Sequence, residues 1–154
     1  MLFRSKKYIY YLQEAYLFRM LPLYAFKNTE KQLSRKCYAI DPAFISNHED
    51  FLQTPNLGWR LENVVAVELM RRMNSEIEQL FYLRKHKSFE VDFVRTRMGK
   101  VEELIQVTYN FQNPTTKLYN REIGGLIKGS QMTQCKHLTL IMMNGEERLI
   151  EQDG

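Results

Sequence analysis

Cysteine is scarce in this 154-residue chain, which holds only Cys37 and Cys135. The two stand far apart with no metal-type spacing. That argues against a disulfide scaffold and a cysteine zinc site, and reads as reduced, buried thiols of a cytosolic protein. Histidine is nearly as scarce: His48, His86 and His137 show no mutual spacing that suggests zinc or an acid–base pair. Long hydrophobic runs are missing too. Leu12 to Leu23 is interrupted by Gln13, Glu14 and Arg19, which excludes a signal peptide and a membrane span. Neither sign of charge dominates. A balance of 22 basic against 18 acidic residues permits nucleic-acid binding without demanding it. There is no Walker-type phosphate loop. Gly124-Gly125-Leu126-Ile127-Lys128-Gly129-Ser130 lacks the Gly-Lys-Ser/Thr ending and does not directly follow a strand. No internal repeat or low-complexity segment is present. The reading is a soluble, cytoplasmic chain with no membrane partner and no evident small-molecule substrate.

What is present is enough apolar material, 44% of residues, for one real core. Tyr8, Tyr11, Leu12 and Ala15 recur at helical spacing and predict a helix from about Ser5 to Tyr16. Leu17 to Phe26 is rich in aromatic and branched residues, Lys27 to Lys31 is a polar turn, and Arg35 to Ile40 returns as a strand. Asp41-Pro42 closes it, since the residue before proline is pushed out of helical geometry. After a polar loop from Asn47 to Gly58, Trp59 to Met73 predicts a largely buried helix. Within it Glu62 shares a face with Trp59, Val65, Ala66 and Leu69, where a carboxylate is costly unless paired or coordinated. Glu68, near Arg71 and Arg72, reads as an ion-paired surface group.

Ile77 to Leu83 reads as a strand, and Arg84-Lys85-His86-Lys87 as a basic turn. Two stretches then alternate at period two, Phe89 to Val94 and Leu104 to Tyr109, with Arg97-Met98-Gly99-Lys100 as a hairpin connection. If Val91, Phe93, Ile105 and Val107 form one face, Glu90, Asp92, Gln106 and Thr108 form the other. Thr116 to about Gln131 predicts a helix in spite of its glycines. Leu138 to Met143 is a continuous apolar strand suited to a sheet centre. Asn144-Gly145 is a turn before a last strand from Glu147 to Glu151. The sum is an α/β (α+β) fold, a mixed sheet flanked by helices. An unpaired edge at Glu147 to Glu151 and an apolar patch at Tyr8, Tyr11 and Tyr16 predict self-association or a protein partner.

A hairpin bearing Asp92, a following strand Leu104-Ile105-Gln106-Val107-Thr108, and a preceding helix bearing Glu62 together resemble the PD-(D/E)xK nuclease core. Four stretches extend the resemblance to the nuclease-like domain of unknown function at the C-terminus of bacterial AAA-type ATPases. They are Leu12 to Leu17, Lys36 to Asp41, Arg60 to Val65 and Leu104 to Tyr109. The resemblance implies two parts. Residues 1–41 are the last helix and wing hairpin of a winged-helix unit, and residues 42–154 are the nuclease-like domain, truncated at its C-terminus. Lys6, Lys7, Arg35 and Lys36 would be basic residues of the winged-helix part, more simply a solvated face than a phosphate contact.

Carried over residue by residue, the catalytic positions are Glu62, Asp92, Gln106 and Thr108. Glu62 and Asp92 would hold Mg²⁺, the one cofactor the resemblance brings. Gln106 stands where an acid belongs, and its neutral carbonyl is a weaker ligand for a hard cation. Thr108 stands where lysine belongs and carries no charge near neutral pH. A lysine migrated to the next helix, Lys117 or Lys128, is the remaining substitute. The resemblance therefore implies a degenerate site and a non-catalytic interaction or regulatory module without a cofactor. Its partners would be a protein or nucleic acid. The alternative is a Mg²⁺-dependent DNA nuclease with an atypical site.

Overall fold

The computed structural model describes residues 2–25, 35–43 and 56–144, with the backbone alone for 2–6. Helix α1, Leu2–Glu14, leads into strand β1, Phe18–Pro22, which pairs antiparallel with β2, Arg35–Ala39. The expected helix and ribbon are there. Beyond β1 the chain touches β3 (Glu78–Lys85) through a bridge from Leu23 to Tyr82 and a bond from the Tyr24 N–H to the Tyr82 carbonyl at 2.7 Å. That bond ties the ribbon to the main sheet.

Helix α2, Leu57–Arg72, begins where Asn56 accepts the Trp59 N–H at 3.1 Å, the side-chain cap that an exposed helix start needs. Strand β3 follows, then β4, Phe89–Arg97, and β5, Lys100–Thr108. Met98 and Gly99 join β4 to β5, both with positive φ, 48° and 77°. Two left-handed residues between paired Arg97 and Lys100 make a hairpin turn whose twist matches its strands. Helix α3, Thr116–Thr133, is capped by Thr115. Strand β6, Leu138–Met142, is the last element among the described residues. The four-stranded sheet runs β3-β4-β5-β6, antiparallel except for the parallel β5–β6 pair. This is a mixed sheet with helices on both faces, as the residue pattern predicts.

Two apolar layers lie on either side of the sheet. Under α2 and the ribbon sit Leu21, Tyr38, Ala66, Tyr82, Phe93, Ile105 and Val107; under α3 sit Leu83, Val91, Val94, Leu104 and Leu126. Helix α3 can come this close because of its glycines. A Cβ on Gly125 would lie 2.8 Å from the Glu90 carbonyl oxygen, and one on Gly129 would lie 2.9 Å from Val91. The Gly-rich stretch is a packing face of a helix.

Three expectations need correction. Helix α2 is not largely buried: only Asn63 and Ala66 are, while Trp59 is 45% exposed and Val64 47%. One stripe of Leu61, Val65, Ala66, Leu69 and Met70 is all that a single sheet face can cover. Strand β6 is the outermost strand among the described residues, not a central one, because an apolar run does not say which side is paired. Of the two free thiols, Cys135 is buried but Cys37 is exposed. The turn at 27–31, His48 with most of the loop it stands in, and the strand at 147–151 lie outside the described residues. No helix among the described residues is long and apolar enough to cross a membrane.

Candidate functional site

Alternation along β4 fails at one place, and the site is built there. Phe81 pairs with Val94 and Leu83 with Val91, so Asp92 and Phe93 together oppose the single residue Tyr82. The extra residue is a β-bulge, a device that re-aims side chains. Val91 and Val94 both face α3, while Phe93 packs under α2. The Asp92 carboxylate emerges on the α2 side as well, where it shares Lys36 with Glu62.

Lys36, inward on β2, is the centre of the cluster. Its Nζ lies 3.0 Å from Glu62, 2.7 Å from Glu90 and 3.1 Å from Asp92. It also stands 5.5 Å from the centroid of the buried Tyr82 ring, a cation–π distance. Tyr38, on the same side of β2, donates its hydroxyl to Glu62 Oε1 at 2.7 Å. The other Asp92 oxygen accepts the Val107 N–H at 3.0 Å. The carboxylate that apolar neighbours make costly in α2 is therefore paired, by a cation and a phenol from the ribbon.

Burial acts on Lys36, Asp92 and Tyr38, and neighbouring charge decides whether it prevails. Burial alone would lower the Lys36 ammonium, but Asp92, Glu62 and Glu90 more than reverse it and hold the lysine well above its ordinary range. Burial raises Asp92, the nearby Glu62 charge adds to this, and Lys36 pulls it back only in part; its carboxyl is pushed up to about 6. The two partners respond differently because the Asp92 side chain is deeper, 9% exposed against 22% for Lys36, and because two further carboxylates compete for the same ammonium. Tyr38 is held above the usual phenol range by burial and then by Glu62.

Gln106 does not join this cluster. Its amide accepts the Asp92 N–H at 3.2 Å and donates to Glu122 of α3 at 2.7 Å, on the opposite face from the Asp92 carboxylate. Glu122 is 1% exposed and is paired with Arg121. Thr108 is buried, two residues further on the same strand, and shares the Gln106 side by alternation. The shared face expected for Asp92, Gln106 and Thr108 is thus broken, and the bulge is the reason. Lys117 and Lys128 are exposed on α3, across the sheet from Glu62; the lysine in the cluster is Lys36.

Sequence reasoning paired Glu62 with Asp92 and put Glu90 on the Asp92 face, as found, but missed Lys36 and Tyr38 as their neighbours. The alternation of Lys36 and Tyr38 on one strand face was the available signal. It also missed Asn63, fully buried, which accepts the Ala39 N–H at 2.9 Å and donates to the Ala39 carbonyl at 2.8 Å, pinning α2 to β2. An amide inside the run Leu61 to Val67 was the hint.

As the side chains stand, the Glu62 and Asp92 oxygens nearest Lys36 are not free for Mg²⁺. The ion needs several free oxygens in an octahedron. Here Glu62 Oε1 serves Lys36 and Tyr38, and both Asp92 oxygens have donors. Among the described residues no group of three or more His, Cys, Asp or Glu side chains is arranged to hold a metal.

No protein-family model matches the chain. An uncharacterized protein of Methanocaldococcus jannaschii is similar to it, 40% identical over 116 residues. The match takes in 75% of this chain and 24% of that protein, so the chain spans less than a quarter of the curated relative's length. No solved structure matches.

Proposed function

We propose that this chain is a non-catalytic interaction module, a degenerate nuclease-like fold of the kind that ends AAA-type ATPases, preceded by the close of a winged-helix unit. One observation carries the reading: the Lys36 ammonium stands among Glu62, Glu90 and Asp92, so the one cation of the cluster is engaged within the fold and offsets part of the charge that a nuclease would present to metal. Gln106, turned to Glu122 on the opposite face from the Asp92 carboxylate, counts against the alignment that put it in the place of the nuclease acid, and the reading rests on Glu62, Asp92 and the order of elements. Work as one part of a larger polypeptide is supported by the greater length of the archaeal relative. A protein partner is supported by the tyrosines of α1 and the turn after it: Tyr8 and Tyr16 are each 67% exposed, and Tyr10 and Tyr11 more than half. We place the module in the cytoplasm, in keeping with its two free thiols.

The test is incubation of the purified chain with linear, circular and single-stranded DNA in Mg²⁺ or Mn²⁺. All three substrates are expected to stay intact. Cleavage that disappears in Asp92→Ala would overturn the proposal and select the atypical Mg²⁺-dependent nuclease instead.

A further inference from the structure

We propose that the β3–β4 turn is a binding surface for the phosphate backbone of nucleic acid. This deepens the interaction-module reading by naming a partner class and the surface that meets it. Binding at the turn and cleavage at the cluster are read separately, so the two can fail independently.

Arg84, Lys85, His86 and Lys87 are consecutive and all exposed. The nearest acidic side chain along β4, Glu90, is held by Lys36 at 2.7 Å. Lys85 and Lys87 have no acidic partner among the described residues. Their positions are built: Lys85 pairs with Phe89, the Ser88 N–H bonds the Lys85 carbonyl at 3.0 Å, and Lys87 is left-handed at φ 54°. Exposed Arg35 flanks the same end of the sheet, since its neighbour Lys36 bonds Glu90, the register partner of Arg84.

The surroundings decide the class of ligand. The rings near the turn are covered in whole or part: Tyr82 is 1% exposed, Phe81 9%, and Phe89 is partly buried against the core, so none stands open as a stacking platform for bases. No large apolar side chain beside the cations is exposed, as insertion into a membrane surface or the core of a peptide interface would require. An array of cations without apolar surface gains most from a continuous polyanion, whose condensed counterions it releases. The expected contact is with phosphates and is indifferent to sequence.

Fluorescence anisotropy tests this, with two short duplex DNAs of unrelated sequence over a salt series. Lys85→Glu with Lys87→Glu is compared with Lys100→Glu plus Lys136→Glu, an equal change of net charge at the other end of the sheet. The wild type should bind both duplexes alike. The turn variant should lose roughly tenfold or more at low salt, and its log–log salt slope should be shallower by about two. The distal variant should lose several-fold less, and melting curves should establish that both variants are folded. Equal losses in the two variants would reduce the effect to net charge and overturn the proposal, as would absence of duplex binding by the wild type at low salt. Binding of anionic phosphatidylserine vesicles or an acidic peptide, but not DNA, through Lys85 and Lys87 would equally overturn it.

Discussion

At one end of the sheet Lys36 is enclosed by three carboxylates, while Lys85 and Lys87, a few residues from Glu90, have no acidic partner among the described residues. In the first group the ammonium is largely covered and matched by carboxylates of the fold; in the second the ammonium groups are exposed and face water. Charge alone does not mark a site. A charge neutralised within the fold holds two elements together, and one left open is available to a ligand. Lys36 is in this sense a fastener between the β1–β2 ribbon and the core, whereas the turn is surface.

Removing the fastener gives the largest expected effect. Lys36→Met leaves three carboxylates around a hydrophobic side chain and should cost roughly 3 kcal/mol of stability, read from urea unfolding. Adding Asp92→Asn should restore part of it. A loss well under 1 kcal/mol would place the cluster with ordinary surface ion pairs and dissolve the contrast.

Glu90 joins the two regions, and its carbonyl lies under α3. Gly125→Ala drives a methyl to 2.8 Å from that oxygen, whereas a Cβ on Gly124 meets nothing within 4 Å. We expect Gly125→Ala to cost roughly 2 kcal/mol and Gly124→Ala to gain up to about 1 kcal/mol from helix propensity. Thermal melts of the two variants should move in opposite directions. Shifts of the same sign would mean that α3 is not seated on Glu90 as described.

The smallest effect is acid-dependent. Asp92 holds its proton up to about 6 in the folded chain, against 3.8 for an ordinary aspartate. The folded state thus binds a proton that the unfolded state releases. The Asp92 contribution to stability rises as pH falls from 7 towards 4, and is lost as pH climbs through about 6. Glu78, lowered by the Asn74 N–H and Arg97, works in the other direction. The comparison is therefore wild type against Asp92→Asn, by urea midpoints at about pH 5 and about pH 7.5. The wild type should lose on the order of 1–2 kcal/mol more than the variant over that rise. Parallel midpoints would show that Asp92 keeps an ordinary carboxyl.

The fold was legible wherever one period ran unbroken. Helix α3 and strands β3 to β5 follow from their spacing, and the β4–β5 turn follows from Gly99. Glu62 stood out because an acid amid Val65, Ala66 and Leu69 needs a partner. Burial of Trp59 and Val64 was misread, since an apolar residue does not say whether a second layer covers it. The face of Asp92 was misread because a bulge is one residue long and leaves no mark in the alternation on either side.

From residue order alone came the α+β class, the helices, the hairpins and the suspicion attached to Glu62 and Asp92. Only the tertiary structure decided what those acids meet. Lys36 lies 26 residues from Glu62 and 56 from Asp92 along the chain, and no local period connects them. Packing of the ribbon on the sheet brings the ammonium in, and the bulge opposite Tyr82 turns Asp92 towards it and away from Gln106. Periodicity tells a side chain which way to point relative to its neighbours. Which charge waits there is settled by distant segments sharing one core.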